Sequence, residues 1–541
     1  MFAFEPLSPI TEWGAKSYDA QWSLWFSREF SLNFYLYWLL LAFLFYVVGK
    51  LRFNLRLASR KIMMIRRILV LFPALFCWYG IEFQTLGFGH YEDEISYIYQ
   101  ARLLANGKPE GLLIPKEIVN SYSVPNIWVN QEGRLVGSYA IGYPMLLAPF
   151  EWLGWRAFFP VLLCFLSTLI IFRILGLCFS SRRIIPYLLV GFNPWFASFS
   201  VYFFSQSAML LVCSFILLRR LKQLSFTLDW ILIAVAILIR PPDALILATT
   251  LGSWQLITYY RNEQKISRAQ WFSPLFMLGA FPLHFLNQKW ITGSYFEPTY
   301  SVFSSLHKLG FAADVGILQP WGYNLAQAFK NLSLVLLSLN DSLFGWPALS
   351  LLPILLAGWF SKVRKPSPIH RRMLLFASLV LVFWFGFYFL YFYPGICFGP
   401  RFHFPLFPFF IVLSAYGILC LAKMRLVFGL LTLLSLWNCF QWQERLKDSG
   451  GVLSDPIQLI EARHRMILDE SRIYLIKDED NPGADVTQRS LFSQFHHLND
   501  PFDLDNPRFL RFSDYQGNPA WFNSRYAKGF QILNFKAQVD D

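Results

Sequence analysis

Three carboxylates stand side by side in His90-Tyr91-Glu92-Asp93-Glu94, immediately after an apolar block of the chain. Acids in the first turn of a helix are favoured by its free N–H groups and by the macrodipole, which accounts for one of them, or two. A third exceeds what capping needs. Carboxylates gathered at a membrane-facing cleft tend to be working groups, so Asp93 is assigned a role beyond capping. Cations come from elsewhere: Arg156, Arg240, Lys289 and Arg401 each sit at the end of a different apolar block, and His403 closely follows Arg401. An arginine in such a position also serves by snorkelling to lipid headgroups. Arg401, hemmed by Gly399, Pro400 and Pro405, is the strongest candidate for holding an anion. A metal centre has no pattern to stand on: there is no Cys-x-x-Cys, no His-Glu-x-x-His, and no Asp-x-Asp in the first loop.

The elements that must position these groups are membrane helices. The chain has 541 residues, 55% of them hydrophobic and 19% aromatic, far above an average globular protein. The excess falls in nearly charge-free blocks of about 17–22 residues, enough to cross a hydrocarbon core of about 30 Å. Clear blocks are Phe34–Val48, Ile68–Phe83, Phe158–Cys178, Ala208–Leu218, Trp271–Leu286, Met373–Tyr393, His403–Ala422 and Leu426–Phe440. The net charge of +13 is concentrated in the connections: Lys50–Arg67, Arg182–Arg183, Arg219–Lys222, Arg261–Arg268, Lys362–Arg372 and Lys423–Arg425. That is the positive-inside pattern of cytoplasmic loops. A nucleic-acid module would gather its charge on one soluble surface, so nucleic acid is not an expected partner.

Placing every basic cluster inside requires an even number of crossings between them. Leu228–Tyr260 must then be a hairpin broken at Arg240-Pro241-Pro242-Asp243, because prolines cannot continue a helix. The expected fold is an all-α polytopic membrane protein of about twelve crossings, with both termini outside. It divides into an N-terminal outer segment (1–30), two helices joined by a basic loop (31–86), a large first outer loop (87–156), a transmembrane core (157–441) and a small soluble C-terminal domain (442–541). Seven cysteines form no disulfide framework; only Cys397 lies in an outer connection. No cleavable signal peptide is evident, since Met1–Arg28 lacks the basic and apolar regions of one.

Within the first outer loop, His90–Gly107 reads as a short helix, with Tyr97, Ala101 and Leu104 at helical spacing and Asn106-Gly107 as its stop. Its apolar side is expected to rest on the membrane surface. Gly137–Pro149 reads as a second surface-lying helix. The tail carries 16 acids against 12 bases and is expected to be mixed α/β, with Arg472–Lys477 a strand, Asp455–Asp469 a helix and Ser513–Asn523 a loop.

A span, then Asp93-Glu94 with Tyr97 three residues on, then an Ala/Leu/Gly-spaced helix, then Gly142-Tyr143-Pro144-Met-Leu-Leu147 and Arg156 before the next span: this order resembles the GT-C membrane glycosyltransferases. The nearest in pattern are the protein O-mannosyltransferases, the lipid A aminoarabinose transferases and the bacterial Rgt-type lipopolysaccharide glycosyltransferases. Asn193-Pro194, Arg240-Pro241, Leu286-Asn287 with Thr292-Gly293-Ser294, and Gly399-Pro400-Arg401-Phe402 with Pro405 agree with it. The likeness runs from about Ile68 to Ala422 and leaves the tail uncovered. The chain departs from the family's proline pair before the second surface helix, where Ala140-Ile141-Gly142 stands.

The resemblance implies a bacterial inner (plasma) membrane enzyme with a periplasmic tail, using a sugar carried on a polyprenyl phosphate. Asp93 would be the catalytic base and Glu94 its neighbour; the acceptor would be a glycan, a lipid or a protein. No cofactor is implied beyond the donor. Cleaving a sugar–phosphate bond leaves a phosphate monoester, which needs charge stabilisation. Arg401 foremost, with Arg240, Lys289, Arg156 and His403, would meet that phosphate. An acceptor hydroxyl has a very high pKa and needs a positioned carboxylate as the bond forms; Asp93 would serve in an inverting displacement. Tyr97, Tyr143 and Tyr295 are candidates for the sugar or acceptor, and Glu297 for positioning the acceptor, although a solvated loop acid or an interfacial aromatic belt explains the last pair as well. The alternative class is a transporter or flippase of lipid-linked saccharides, which would place ionisable residues at mid-bilayer and repeat its halves. His284 and Asp341 are the buried polar candidates for it. A non-catalytic membrane subunit would carry no clustered outer acids.

Overall fold

Proline and glycine cut the apolar chain into its helices. In this computed structural model the described residues are 59–448, except 84, 86, 88, 90, 123–125, 180–182, 262–265, 300–306, 317–321, 347–348, 397–398 and 422–424, together with 472–478 and 507–535 except 508 and 527–529. The N-terminal outer segment, the first expected crossing, the helix expected over Asp455–Asp469 and Cys397 lie outside them.

The longer helices among the described residues are α1 (Ser59–Phe83), α2 (Glu92–Ala105), α3 (Gly142–Trp152), α4 (Phe158–Cys178), α5 (Ser205–Leu221), α6 (Thr227–Ile239), α7 (Pro241–Tyr260), α8 (Phe281–Thr292), α9 (Leu325–Ser342), α10 (Leu352–Val363), α11 (Pro368–Phe389), α12 (Phe407–Cys420) and α13 (Arg425–Asp448). Four stretches among the described residues are long and apolar enough to cross a membrane: Met64–Phe83, Phe158–Cys178, Pro368–Phe389 and Arg401–Cys420. The last is wholly buried, its side chains packed against α5, α10 and α11. On the outside, Leu71, Leu75, Trp78 and Phe83 of α1 and Val382 of α11 are exposed. So many bare apolar side chains on helix backs suit a lipid surround and not water. The chain is therefore a mostly helical protein built for association with a membrane.

The expected hairpin over Leu228–Tyr260 is present as α6 and α7, broken at Arg240. Pro241 disfavours a helical conformation in the residue before it, and Arg240 is accordingly extended at φ −150°, ψ 90°. Trp271–Leu286 departs from expectation. It is no single α-helix but a 3-10 stretch, Ser273–Ala280, leading into α8, since Pro274 and Pro282 lack the N–H groups a continuous ladder needs.

Helix α2 spans the expected residues, yet it does not lie on a surface. Ile95, Tyr99 and Leu103 face one hydrophobic cluster, while Tyr97, Ile98 and Ala101 face another, that of the membrane helices. The first cluster joins the segment 87–156 to the tail. It contains Ile127 and Leu135 of an antiparallel sheet ordered β1 (Leu112–Leu113), β3 (Arg134–Gly137), β2 (Ile127–Val129), and Ile473, Leu475, Leu510 and Phe522 of the tail. Burying each such side chain contributes roughly 1.5–3 kcal/mol. The tail strands β4 (Ile473–Asp478), β5 (Phe509–Arg511) and β6 (Phe530–Phe535) form a parallel sheet ordered β5-β4-β6. Ser513–Asn523, expected as a loop, is mostly helical: Phe512–Gly517, then Pro519–Arg525. Pro519 suits the first position of a helix, and Asn518 caps it by accepting from the Trp521 N–H at 3.2 Å.

Candidate active site

Asp93 enters the site from the first turn of α2. Its Oδ2 accepts from Arg401 Nη1 at 2.8 Å. Its Oδ1 accepts from the Tyr139 hydroxyl at 2.5 Å and from Asn126 Nδ2 at 3.1 Å. The Asp93 side chain is 20% exposed and that of Arg401 14%, so the ion pair sits at the rim of the buried core within reach of solvent.

Arg401 is aimed by the turn that precedes it. Gly395 is at φ +64°, and a Cβ there would lie 2.3 Å from the Phe402 ring; Gly399 is at φ +89°, and its Cβ would meet Trp195 Nε1 at 2.8 Å. Only glycine fits both, and the turn closes with the Arg401 N–H donating to the Gly395 carbonyl at 2.9 Å. The guanidinium lies 5.1 Å from the Phe402 ring centre, 5.8 Å from Tyr393 and 5.9 Å from Phe204, an aromatic collar that attracts a cation.

A second arginine–aspartate pair shares the Phe402 ring. Arg240 Nε donates to Asp243 Oδ2 at 2.7 Å, and its guanidinium lies 5.5 Å from the Phe402 centre. The Tyr388 hydroxyl donates to Asp243 Oδ1 at 2.5 Å. Arg240 Nη1 also donates to Ser205 Oγ at 3.3 Å, which is 2.8 Å from the Tyr97 hydroxyl. Burial pushes the Tyr97 phenol up to about 12, so it serves as a neutral hydrogen-bonding group. The Tyr97 ring lies against that of Tyr139 with centres 4.5 Å apart and planes tilted by 31°, and meets Tyr143 edge-on at 4.9 Å. The three rings thus link the two pairs.

The other expected site residues fall elsewhere or do other work. Glu94, expected as a second catalytic acid, is 1% exposed; it accepts from the Phe203 N–H at 2.6 Å and the Tyr91 N–H at 3.1 Å, capping α2 and tying it to the core. Tyr97 and Tyr143, expected at a sugar, are buried in packing. Arg156 makes a two-pronged pair with Glu151 at the α3–α4 corner. Lys289 is exposed and donates to the Tyr295 hydroxyl at 3.2 Å; Glu297 is half-buried in the same loop. His403 is 2% exposed, set against Phe385 and Tyr388, with neither ring nitrogen hydrogen-bonded. Its ring lines a small cavity together with Tyr388 and Tyr393. His284 and Asp341 are only partly buried. Among the described residues, the deeply buried charged side chains besides Glu94 are Asp243, Asp229 and Arg220, all three in ion pairs.

No known family model, curated protein or solved structure matches the chain.

The groups overlooked in the sequence are Tyr139, Asn126, Asp243 and Tyr388. Asp243 had a signal, since it follows Arg240 by one helical turn across a proline break. Tyr139 and Asn126 had none, because their role depends on how the chain after α2 returns over it. At Gly142 a Cβ would lie 2.5 Å from the Leu238 carbonyl carbon, so the start of α3 needs glycine to close on α6.

Proposed function

We propose that this chain is a GT-C-type membrane glycosyltransferase. It moves a sugar from a polyprenyl-phosphate donor to a lipid, saccharide or protein acceptor at the outer face of a bacterial inner membrane, crossing about twelve times with a periplasmic tail. The observation that carries the reading is the meeting of Asp93 and Arg401, 308 residues apart in the chain, at a partly exposed rim beside the Arg240–Asp243 pair. A carboxylate and a guanidinium in contact are the two groups that an inverting transfer needs, one for the acceptor proton and one for the phosphate that leaves. Arg401 would turn from Asp93 toward the donor phosphate, and the planar guanidinium suits that anion. Arg240 is held by Asp243 and tunes the site from behind. Glu94, Arg156 and His403 have no catalytic task in this scheme.

Purified protein tested against a panel of polyprenyl-phosphate sugars decides the matter. A general base contributes about 10²–10⁴ in rate, so Asp93→Asn should lose transfer by that factor while donor binding and folding persist. Near-wild-type transfer by Asp93→Asn would refute the mechanism. The buried Asp243–Arg240 pair favours a second reading, a flippase of lipid-linked saccharides, which predicts movement of the donor across vesicles with no sugar transferred.

A further inference from the structure

Asn126 has φ +67°, a left-handed conformation uncommon outside glycine and best tolerated by asparagine. Such strain persists where the surroundings over-determine it, and it clusters at functional sites. Here the Asn126 carbonyl accepts from Ser96 Oγ at 2.7 Å, the Ser138 N–H at 3.0 Å and Ser138 Oγ at 3.1 Å. Ser96 lies one helical turn beyond Asp93. The helix that carries the carboxylate therefore also locks the strained residue whose side chain meets it. Tyr139 is fixed as firmly. Its ring packs against Tyr97 with centres 4.5 Å apart, and its carbonyl accepts from Gln100 Nε2 at 2.9 Å and Asn287 Nδ2 at 3.2 Å.

Resting on the glycosyltransferase reading, we propose that Asn126 and Tyr139 are positioning residues: they commit Oδ1 of Asp93 to two fixed donors and leave Oδ2 as the oxygen that takes the acceptor's proton. A carboxylate oxygen offers about two lone-pair sites. On Oδ1 both are used, whereas among the described residues Oδ2 carries only Arg401, the residue that turns to the donor phosphate. In the transfer, the acceptor O–H bond breaks and its proton passes to Oδ2. The acceptor oxygen bonds to the anomeric carbon, and the carbon–oxygen bond to phosphate breaks with its electron pair leaving on the phosphate.

A hydrogen bond donated to a carboxylate favours its ionised form. Among the described residues, the other charged or titratable groups near Asp93 are Arg401 from the turn before α12, Tyr391, and Tyr97 of its own helix, with Glu92 and Glu94 flanking it in sequence. None of them changes in the variants below.

The test is the pH profile of kcat/KM for Tyr139→Phe, which keeps the ring packed against Tyr97, and Asn126→Gly, which keeps the left-handed backbone without strain. A hydrogen bond to a charged group is worth about tenfold or more. The acid limb should therefore move to higher pH by about one unit in each variant, with kcat reduced and the donor KM within about twofold of wild type. A merely structural role would lower the yield of folded protein and leave the limb in place. If wild type transfers, Asp93→Asn does not, and both variants keep the wild-type limb, the positioning role is wrong while the glycosyltransferase reading stands. If wild type transfers from no donor, that reading fails and this proposal with it.

Discussion

Replacing Arg401 tests whether the Asp93–Arg401 contact is a working pair or a staple between α2 and the turn before α12. Both side chains are less than a third exposed, 20% for Asp93 and 14% for Arg401, so solvent screening leaves a real interaction. A hydrogen bond to a charged group contributes about 1.5–3 kcal/mol. If Arg401 makes one such contact to the donor phosphate, Arg401→Ala should weaken donor binding by about 10- to 100-fold. Arg401→Lys should recover part of it, because an ammonium supplies the charge without the planar fork. The assay is binding of a labelled polyprenyl-phosphate sugar to detergent-purified protein, with the unfolding midpoint recorded in parallel. A double-mutant cycle with Asp93→Asn separates the two roles. For a staple, the double variant loses no more stability than either single one, and donor affinity stays level throughout. Equal donor affinity in wild type, Arg401→Lys and Arg401→Ala would refute the phosphate contact.

Glu94→Gln should reduce stability by about 1–3 kcal/mol, since a buried acceptor of two backbone N–H groups loses its charge and one of its oxygens; the specific activity of the folded fraction should be retained, and a fall matching that of Asp93→Asn would restore Glu94 to the chemistry. Cysteine labelling from each side of the membrane should find Lys362–Arg372 inside and the tail outside, and labelling of the tail from the cytoplasm would overturn the crossing count.

Several parts of this protein were legible in the sequence because they depend on neighbours along the chain. Phe158–Cys178 forms a helix over the residues that composition alone picks out. The break at Arg240-Pro241 needs nothing beyond the missing N–H and the bulk of the proline ring, and Asn106-Gly107 ends α2 through one residue at φ +68°. Asp93 was singled out by excess, three acids where capping uses two, and it does stand at the rim of the core.

Tertiary structure alone decided which face of α2 meets what. Its residues alternate between apolar and polar in no clean stripe, because they pack on two sides, against membrane helices and against a core shared with the tail. A pattern read on the assumption of one buried face therefore expects a surface helix. The division of labour among the acids was equally hidden: Glu94 and Asp93 are neighbours in sequence, but a helix turns them about 100° apart. One points to the Phe203 backbone and the other to Arg401. The same holds for the cations. Arg156 is claimed by Glu151, and Arg240 by Asp243, whereas Arg401 finds its carboxylate 308 residues away. Local spacing reveals which residues can bear charge. Only the folded chain, by bringing distant segments within 3 Å, decides which charge each one meets.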